Sequence, residues 1–193
     1  MSIILLGLNY KSAPVEIREK VSMSKSNIKR NLEFLQQMES VDGIAVLSTC
    51  NRTEFYMDAR DGSKAVKGLM KFISWYSKCQ TELLEQHMYV KREREAVEHL
   101  FTVAAGLDSM ILGESQIQGQ VQDAYNYALE YRLSNNVINT LLMSALTLGK
   151  RVRTETYIDR QAVSISSAAV ELAKQELGTL DGKTVLIIGA GDT

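Results

Sequence analysis

The order of patterned segments in the first half of the chain is the feature that most limits its fold. Four short runs are typical of strands, namely 3–8 (IILLGL), 43–47 (GIAVL), 54–57 (EFYM) and 87–92 (HMYVKR). Two amphipathic patterns predict helices between them, one after a serine N-cap at Ser24 and one over residues 65–76. The order strand, helix, strand, strand, helix, strand predicts an α+β protein with a ferredoxin-like βαββαβ domain.

The chain after Glu93 has the patterns of a helical region. An apolar stripe between Ala96 and Ala104 stops at Gly106, a residue that commonly ends helices. Two longer helical patterns follow over residues 114–130 and 136–155. We therefore expect helices to follow the ferredoxin-like part.

The last 30 residues combine a helix with the beginning of a further strand. A pattern rich in small residues predicts a helix over 164–177 that ends at Gly178, and a turn is expected at 181–182. VLIIG then predicts a buried strand, followed by Gly189-Ala190-Gly191-Asp192-Thr193. A strand with GxG opens a dinucleotide-binding fingerprint, although a strand ending in a glycine turn has the same form. Since a lone strand cannot form a parallel sheet, we expect an N-terminal fragment of a longer protein.

Composition excludes several classes of function. Lys and Arg number 22 and Asp and Glu 23, which gives a net charge of −1, so any RNA contact must use a local patch. Apolar runs fall short of the roughly 18 residues of a membrane span, and the N-terminal run is too short and lacks the basic start of a signal peptide. We expect a cytoplasmic protein that binds neither DNA nor membranes.

The two cysteines have different surroundings. They lack the spacing of metal ligands, so we expect no metal site and reduced thiols. Cys79 ends an amphipathic helix and is expected to be inert. Cys50 lies in a polar turn with Thr49, Asn51 and Arg52, where a guanidinium would lower the pKa of the thiol. The pattern leaves both a nucleophile and an inert cysteine open.

His99 also has two interpretations. It lies beside the apolar stripe with Glu95 four residues before it, which is typical of a paired histidine on a helix surface. The alternative is an acid or base aimed at the Cys50 turn. His87 is expected at the start of a strand, in a structural or exposed role.

A second polar segment follows Gly106. Residues 107–126 contain no Lys or Arg, which is unusual for a surface helix. Gln116 and Gln120 fall on one helical face with Glu114 at its N-terminal end, a set suited to hydrogen bonding with polar ligand groups. A capping motif followed by a buried polar seam would have the same pattern.

Two of these segments together resemble a known family. LSTCNRTEFY and GLDSMILGESQIQGQVQDAY resemble the two signature segments of the glutamyl-tRNA reductases. GLNYKSAPVEIREK resembles the opening of that family, and VLIIGAGDT resembles the start of its NADPH-binding domain. The resemblance extends over essentially the whole chain.

The resemblance implies a reaction. The Cys50 thiolate would attack the ester of glutamyl-tRNA(Glu), and NADPH would reduce the thioester to glutamate-1-semialdehyde, the first step of tetrapyrrole, porphyrin and haem biosynthesis. His99 matches a histidine important for activity. The implied substrate-binding residues are Thr49, Asn51, Arg52, Ser109, Glu114, Ser115, Gln116 and Gln120, with Arg52 pairing with a substrate carboxylate. The implied cofactor residues are Gly189, Ala190, Gly191, Asp192 and Thr193.

The resemblance also implies a domain organisation. Residues 1–155 would form the catalytic, glutamyl-recognition domain, 156–180 a spinal linker helix, and 181–193 the truncated start of a Rossmann-like NADPH domain. The intact enzyme would be a homodimer and a possible partner of glutamate-1-semialdehyde aminomutase. We expect this chain to perform only cysteine acylation or ester hydrolysis. The alternatives are a nucleotide-independent cysteine acyltransferase or hydrolase, and a non-catalytic RNA-binding module.

Overall fold

The chain folds into a sheet covered by helices. A computed structural model describes residues 2–114, 116–156, 158 and 165–186, with only the backbone given for 165–168. The strands are β1 (Ser2–Asn9), β2 (Val41–Ser48), β3 (Arg52–Ala59) and β4 (Tyr89–Arg92). The helices of this described part are α1 (Val15–Val21), α2 (Lys25–Arg30), α3 (Leu32–Gln36), α4 (Gly62–Ser77), α5 (Thr81–His87), α6 (Arg94–Ala104), α7 (Gln116–Glu130), α8 (Asn136–Thr156) and α9 (Ile165–Leu177). The predicted α+β class is confirmed.

The four strands form one antiparallel sheet with the order β2-β3-β1-β4. β1 lies between β3 and β4, where Leu5 is opposite Tyr56 on one side and Lys91 on the other. β2 and β3 pair as a hairpin whose connecting residues are 49–51. The turn that contains Cys50 therefore lies at one end of the sheet.

Helices cover both faces of the sheet, which explains the unbroken apolar run of β1. Successive side chains of a strand point to opposite faces. Ile4, Leu6 and Leu8 belong to the core cluster shared with α1–α4, whereas Leu5 belongs to the cluster shared with α6–α8. Full burial of each such side chain contributes about 1.5–3 kcal/mol, so the central strand is held from both sides.

The single helix predicted after Ser24 is two helices. The Ser24 cap is present, since its Oγ accepts a hydrogen bond from the Asn27 N–H at 3.3 Å. The break falls at Asn31, whose side-chain Nδ2 donates to the Asn27 carbonyl at 2.8 Å. Asparagine side chains compete with the backbone for such bonds, which favours a helix end.

The expectation for His87 was wrong because the sequence pattern did not reveal α5. His87 is the last residue of this short helix and does not begin β4. Its Nδ1 forms a hydrogen bond with the carbonyl of Ser12 at 2.7 Å. His87 therefore ties α5 to the segment after β1.

Close packing of α8 on α6 depends on Gly149. A Cβ built at this glycine would lie 2.6 Å from the carbonyl oxygen of Ala104, at the end of α6. Backbone cannot yield as a flexible side chain can, so an added methyl group must push the helices apart.

We expect Gly149→Ala to lower the free energy of unfolding by about 1–3 kcal/mol, the usual cost of overpacking. Gly119→Ala in α7 is the matched control, because a Cβ there meets nothing within 4 Å. The control should gain up to about 1 kcal/mol from helix propensity. Urea unfolding of the parent and the two variants measures both changes in the free energy of unfolding. Equal stability of the two variants would contradict the packing argument.

The C-terminal segment is described only in part. Helix α9 ends as predicted, with Gly178 at φ +73° and its N–H bonded to the Lys174 carbonyl at 2.8 Å. Residues 183–186 belong to no helix or strand, and Leu186 is 81% exposed. The remainder of the predicted strand, with residues 189–193, lies outside the described residues, so the boundaries of the linker and NADPH domains stay predictions.

Two features are absent from the described part of the chain. No helix in it combines the length and the apolar character required to cross a bilayer. No group of three or more His, Cys, Asp or Glu side chains in the same part is arranged to hold a metal ion.

Candidate active site

Cys50 lies exposed at the tip of a fixed turn between β2 and β3. The Oγ1 of Thr49 accepts hydrogen bonds from the N–H groups of Asn51 and Arg52, both at 3.1 Å. The Thr49 N–H donates to the Arg52 carbonyl at 2.8 Å. Because the backbone on both sides of Cys50 is held in this way, the thiol is presented to solvent from a rigid support.

Arg18, in α1, holds the same turn from outside. Its Nη1 donates to the Cys50 carbonyl at 2.8 Å and to Oδ1 of Asn51 at 3.1 Å. This contact could not be predicted from local patterns, because Arg18 is 32 residues from Cys50. Helix α1 is therefore coupled to the position of the cysteine.

Arg52 begins β3 and its side chain is buried, with only 1% exposed. Nη1 contacts Oε1 of Glu54 at 2.9 Å and Oδ2 of Asp108 at 3.1 Å, and Nη2 donates to the Asp108 carbonyl at 2.6 Å. A buried guanidinium needs such partners, since an unpaired charge inside a protein is costly. The guanidinium to which the family resemblance assigns a substrate carboxylate is thus bound to two internal carboxylates.

Glu54 is the centre of this buried network and is fully buried. Its carboxylate accepts hydrogen bonds from Tyr56 and Tyr89, each at 2.6 Å, besides its contact with Arg52. Burial alone would raise the pKa of Glu54, but the hydrogen bond with His99 and the charge of Arg52 lower that pKa to about 2. Burial, together with the neighbouring carboxylate, raises the pKa of Tyr56 and Tyr89, so both phenols stay protonated donors.

His99 bonds to Glu54, contrary to the interpretation that paired it with Glu95. Its Nε2 lies 2.8 Å from Oε1 of Glu54, and its side chain is 11% exposed. The imidazole also packs against the Tyr89 ring at a centroid distance of 5.6 Å. The histidine is therefore oriented by a carboxylate that lies four residues after Cys50 in the chain.

Asp108 joins three distant segments of the chain at this site. Besides Arg52, it contacts the Lys11 Nζ at 2.5 Å and the Asn9 Nδ2 at 3.4 Å. Burial would raise the pKa of Asp108, but the hydrogen bond from Lys11 and the charge of Arg52 lower it. The opening segment, the hairpin and the loop after α6 are thus held together by one carboxylate.

The loop that carries Asp108 has a defined shape. Gly106 and Gly113 have φ values of +76° and +79°, and the Gly113 N–H donates to the Gly106 carbonyl at 2.9 Å. At the end of α6, the N–H groups of Gly106 and Leu107 bond to Val103 and Thr102, which is a Schellman cap. The predicted helix end at Gly106 is confirmed.

The predicted binding residues of the second segment lie in this loop and on α7. Ser109 is in the loop, where its Oγ is buried and its carbonyl accepts from the Tyr10 hydroxyl at 3.5 Å. Glu114 precedes α7, and its carbonyl accepts from Arg153 at 3.4 Å. Gln116 and Gln120 are one turn apart on α7, as expected. Ser115 lies outside the described residues, as do the cofactor residues 189–193.

Three residues of the site, Glu54, Tyr89 and Asp108, were not predicted from the sequence. A signal existed in β3, where residues 52, 54 and 56 alternate onto one face of a strand that also carries the apolar Phe55 and Met57. Charged residues at such positions are seldom buried unless they are paired. The partner Asp108 could not be identified, because it is 56 residues away from Arg52.

Fold and site together define an α+β domain that presents an exposed cysteine beside a buried ionic network. A family model described as "Glutamyl-tRNAGlu reductase, N-terminal domain" matches residues 6–156. The chain therefore belongs to the glutamyl-tRNA reductase family, as the two signature segments predicted.

Similar proteins include curated and solved members of this family. The glutamyl-tRNA reductase of Pelotomaculum thermopropionicum is 51% identical over 99% of this chain and 43% of its own length, and that of Heliobacterium mobile is 47% identical over the same shares. The structure of glutamyl-tRNA reductase from Methanopyrus kandleri matches with a TM-score of 0.68 and 38% identity over 98% of this chain and 44% of that one. The chain thus spans less than half the length of these relatives.

Proposed function

We propose that this chain binds glutamyl-tRNA(Glu) and accepts the glutamyl group on Cys50. The observation that carries this proposal is the exposed thiol at the tip of a turn held by Thr49 and Arg18. The family's reductases support the choice of substrate. In the longer protein, the acyl group would be reduced to glutamate-1-semialdehyde, the first step of tetrapyrrole biosynthesis.

The acylation step converts the oxygen ester of the tRNA into a thioester on Cys50. A bond forms between Sγ of Cys50 and the glutamyl carbonyl carbon, and the bond from that carbon to the ribose oxygen of the tRNA breaks. The thiol proton passes to the ribose oxygen, so the products are an enzyme thioester and free tRNA. A thiolate is the attacking form of cysteine.

His99 is the group we assign to proton transfer in this step. Its Nε2 is engaged with Glu54, so proton exchange with the substrate falls to Nδ1. Glu54 keeps its negative charge throughout, because its pKa is lowered to about 2. It therefore acts through His99 as a positioning residue.

The substrate-binding set retains the residues implied by the family resemblance. We propose that Thr49, Asn51, Arg52, Ser109, Glu114, Ser115, Gln116 and Gln120 surround the glutamyl group. For Arg52 we infer an exchange, because Nη1 already donates to Glu54 and Asp108, and Nη2 donates to the Asp108 carbonyl. We infer that the substrate carboxylate displaces Asp108 from Arg52, which would couple substrate binding to movement of the Asp108 loop.

The reductive half of the reaction concerns the longer protein. NADPH supplies a hydride there, and Gly189, Ala190, Gly191, Asp192 and Thr193 would begin its binding site. We propose that the present chain acylates Cys50 or hydrolyses the ester without reduction. A homodimer, an aminomutase partner and a cytoplasmic location remain proposals for the longer protein.

The ferredoxin-like assignment is also a proposal. We infer that residues 2–92 form this arrangement, and the antiparallel order β2-β3-β1-β4 supports it. Five helices, α1–α5, lie between β1 and β4, so three of them would be additions to the two helices of the βαββαβ pattern.

Mass spectrometry after mixing with glutamyl-tRNA tests the proposal. We expect the mass of one glutamyl group on the peptide that contains Cys50, lost on treatment with hydroxylamine as thioesters are. Cys50→Ser should carry no such thioester, whereas the matched variant Cys79→Ala should be acylated, since Cys79 is buried in the other core cluster.

Two results would contradict it. Acylation of Cys50 by simple esters as fast as by glutamyl-tRNA would favour a nucleotide-independent cysteine hydrolase or acyltransferase. Binding of glutamyl-tRNA without any adduct would favour a non-catalytic RNA-binding module.

A further inference from the structure

A large cleft lies between α3 and α4, on the sheet face opposite α6–α8. Its volume is about 1020 Å³, and its walls come from α3, α4 and the end of α2. None of the residues assigned above to the Cys50 site lines it. The cleft is therefore separate from the candidate active site.

One wall of the cleft is aromatic and exposed. Phe34 stacks on Phe72 at a centroid distance of 4.3 Å, and Phe72 packs against Trp75 at 6.1 Å. Trp75 is 71% exposed and Phe34 42%. Exposed aromatic clusters of this kind mark interaction sites, because leaving such rings in water is unfavourable.

The same cleft is basic along α4. Lys64, Lys67 and Lys71 recur at spacings of three and four and so share one helical face with Trp75. Lys64 pairs with Glu39 at 3.5 Å. Lys67, Lys71 and Arg30 are exposed and form no ion pair with any residue that the structure describes. Glu33 and Glu39 also line the cleft, so its four basic and two acidic side chains leave a net charge of +2 in a chain whose net charge is −1.

Gly68 lies in this face of α4, between Lys67 and Lys71, and lines the cleft. A Cβ at Gly68 would meet nothing within 4 Å, so no packing in this chain requires a glycine there. Glycine inside a helix is unfavourable relative to alanine. The absence of a side chain instead opens the helix backbone to close approach by a ligand.

We propose that this cleft binds a single-stranded segment of RNA, with phosphates on Lys67 and Lys71 and a base stacked on Trp75. Aromatic rings combined with a basic groove are the features that bind unpaired nucleotides. An acidic peptide would satisfy the lysines but would leave the aromatic wall without stacking partners.

A chain of contacts links the wall of the cleft to the Cys50 turn. Phe72, which lines the cleft, packs against Tyr76 at a centroid distance of 5.9 Å. At the Trp75 end of α4, the Tyr76 hydroxyl donates to the Ser22 carbonyl at 2.8 Å, and the Ser22 and Ser48 hydroxyls are 3.3 Å apart. Ser48 ends β2, two residues before Cys50. We take this RNA to be the tRNA whose ester would reach Cys50, so this inference rests on the proposed function.

Binding of uncharged, fluorescently labelled tRNA(Glu) to the chain tests the proposal by two signals. Trp75 is the single tryptophan, so stacking of a base should quench its emission directly. The anisotropy of the labelled tRNA should show that the Trp75→Ala variant binds about fivefold to 150-fold more weakly than the parent chain.

The lysines are tested by the salt dependence of tRNA binding. Lys67→Ala and Lys71→Ala should each lower the magnitude of the slope of log K against log salt concentration by about 0.7–1. Lys29→Ala, an exposed charge on α2 outside the cleft, is the matched control and should leave the slope unchanged.

The variant Gly68→Ala separates the close approach of RNA to the α4 backbone from the stability of the folded chain. It should raise the unfolding midpoint by about 2–4 °C and yet weaken tRNA binding at least threefold. The proposal is overturned if Gly68→Ala and Trp75→Ala both bind tRNA with the affinity of the parent and the parent shows no quenching. The cleft would then be a binding site for a protein partner. Acylation of Cys50 by glutamyl-tRNA is measured separately by mass spectrometry, so failure of the cleft proposal and failure of acylation are separate results.

Discussion

Arg52→Met is expected to lower the free energy of unfolding by about 3–5 kcal/mol, the usual result of removing one partner of a buried ion pair. The variant would leave Glu54 and the inner oxygen of Asp108 without their shared cation. It would also leave the Asp108 carbonyl without the donor that lies at 2.6 Å. Methionine fills a similar volume, so the loss would come from charge rather than from a cavity.

Arg151→Met is the matched control for this prediction. Arg151 forms an i, i+4 pair with Glu155 at 3.0 Å, but its side chain is 65% exposed. An exposed pair of this type contributes less than about 0.5 kcal/mol. Urea unfolding measures both variants, and a similar small loss in the two would show that His99, Tyr56 and Tyr89 suffice to hold Glu54.

Acid should remove about 3 kcal/mol of stability through Glu54 alone. Its pKa is lowered from 4.5 to about 2 in the folded chain. A folded pKa below the unfolded value means that the ionised carboxylate stabilises the fold. This contribution is complete above about pH 4.5 and is lost as the pH falls through 2, with each unit of pKa difference equal to about 1.4 kcal/mol.

Glu54→Gln isolates this contribution from that of the other carboxylates. The variant should be less stable than the parent at pH 7, and the difference between the two should narrow as the pH falls from 4.5 to 2. Unfolding free energies measured at several pH values give this difference directly. If the difference stays constant over that range, Glu54 is not the group that titrates.

Local patterns predicted the elements but not the ionic network. The strands, the cap at Ser24 and the helix end at Gly106 follow from spacing and residue type within a few positions. The partners of Glu54 do not, since Tyr89 and His99 are 35 and 45 residues away. Pairing over such separations depends on how the elements pack, which periodicity does not specify.

The errors in the prediction have a similar physical origin. Helices α2, α3 and α5 contain 6, 5 and 7 residues, too few to give a reliable apolar period. Isolated helices of this length are not stable in water and form only through tertiary contacts. The bond between His87 and Ser12, 75 residues apart, is such a contact. The placement of Cys50 was predictable because a turn depends on its immediate neighbours.

The position of Asp108 determines when the site can form during folding. Its partners Lys11 and Arg52 are 97 and 56 residues earlier in the chain, so large loops must close before these contacts exist. Contacts between distant residues carry a higher entropic cost of closure and slow folding. The hairpin that bears Cys50 is local and can form early, whereas the network beneath it is complete only when α6 and its loop have docked. The turn that carries the cysteine and the ionic network that supports it thus form at different stages of folding. The site is therefore complete only in the fully folded domain.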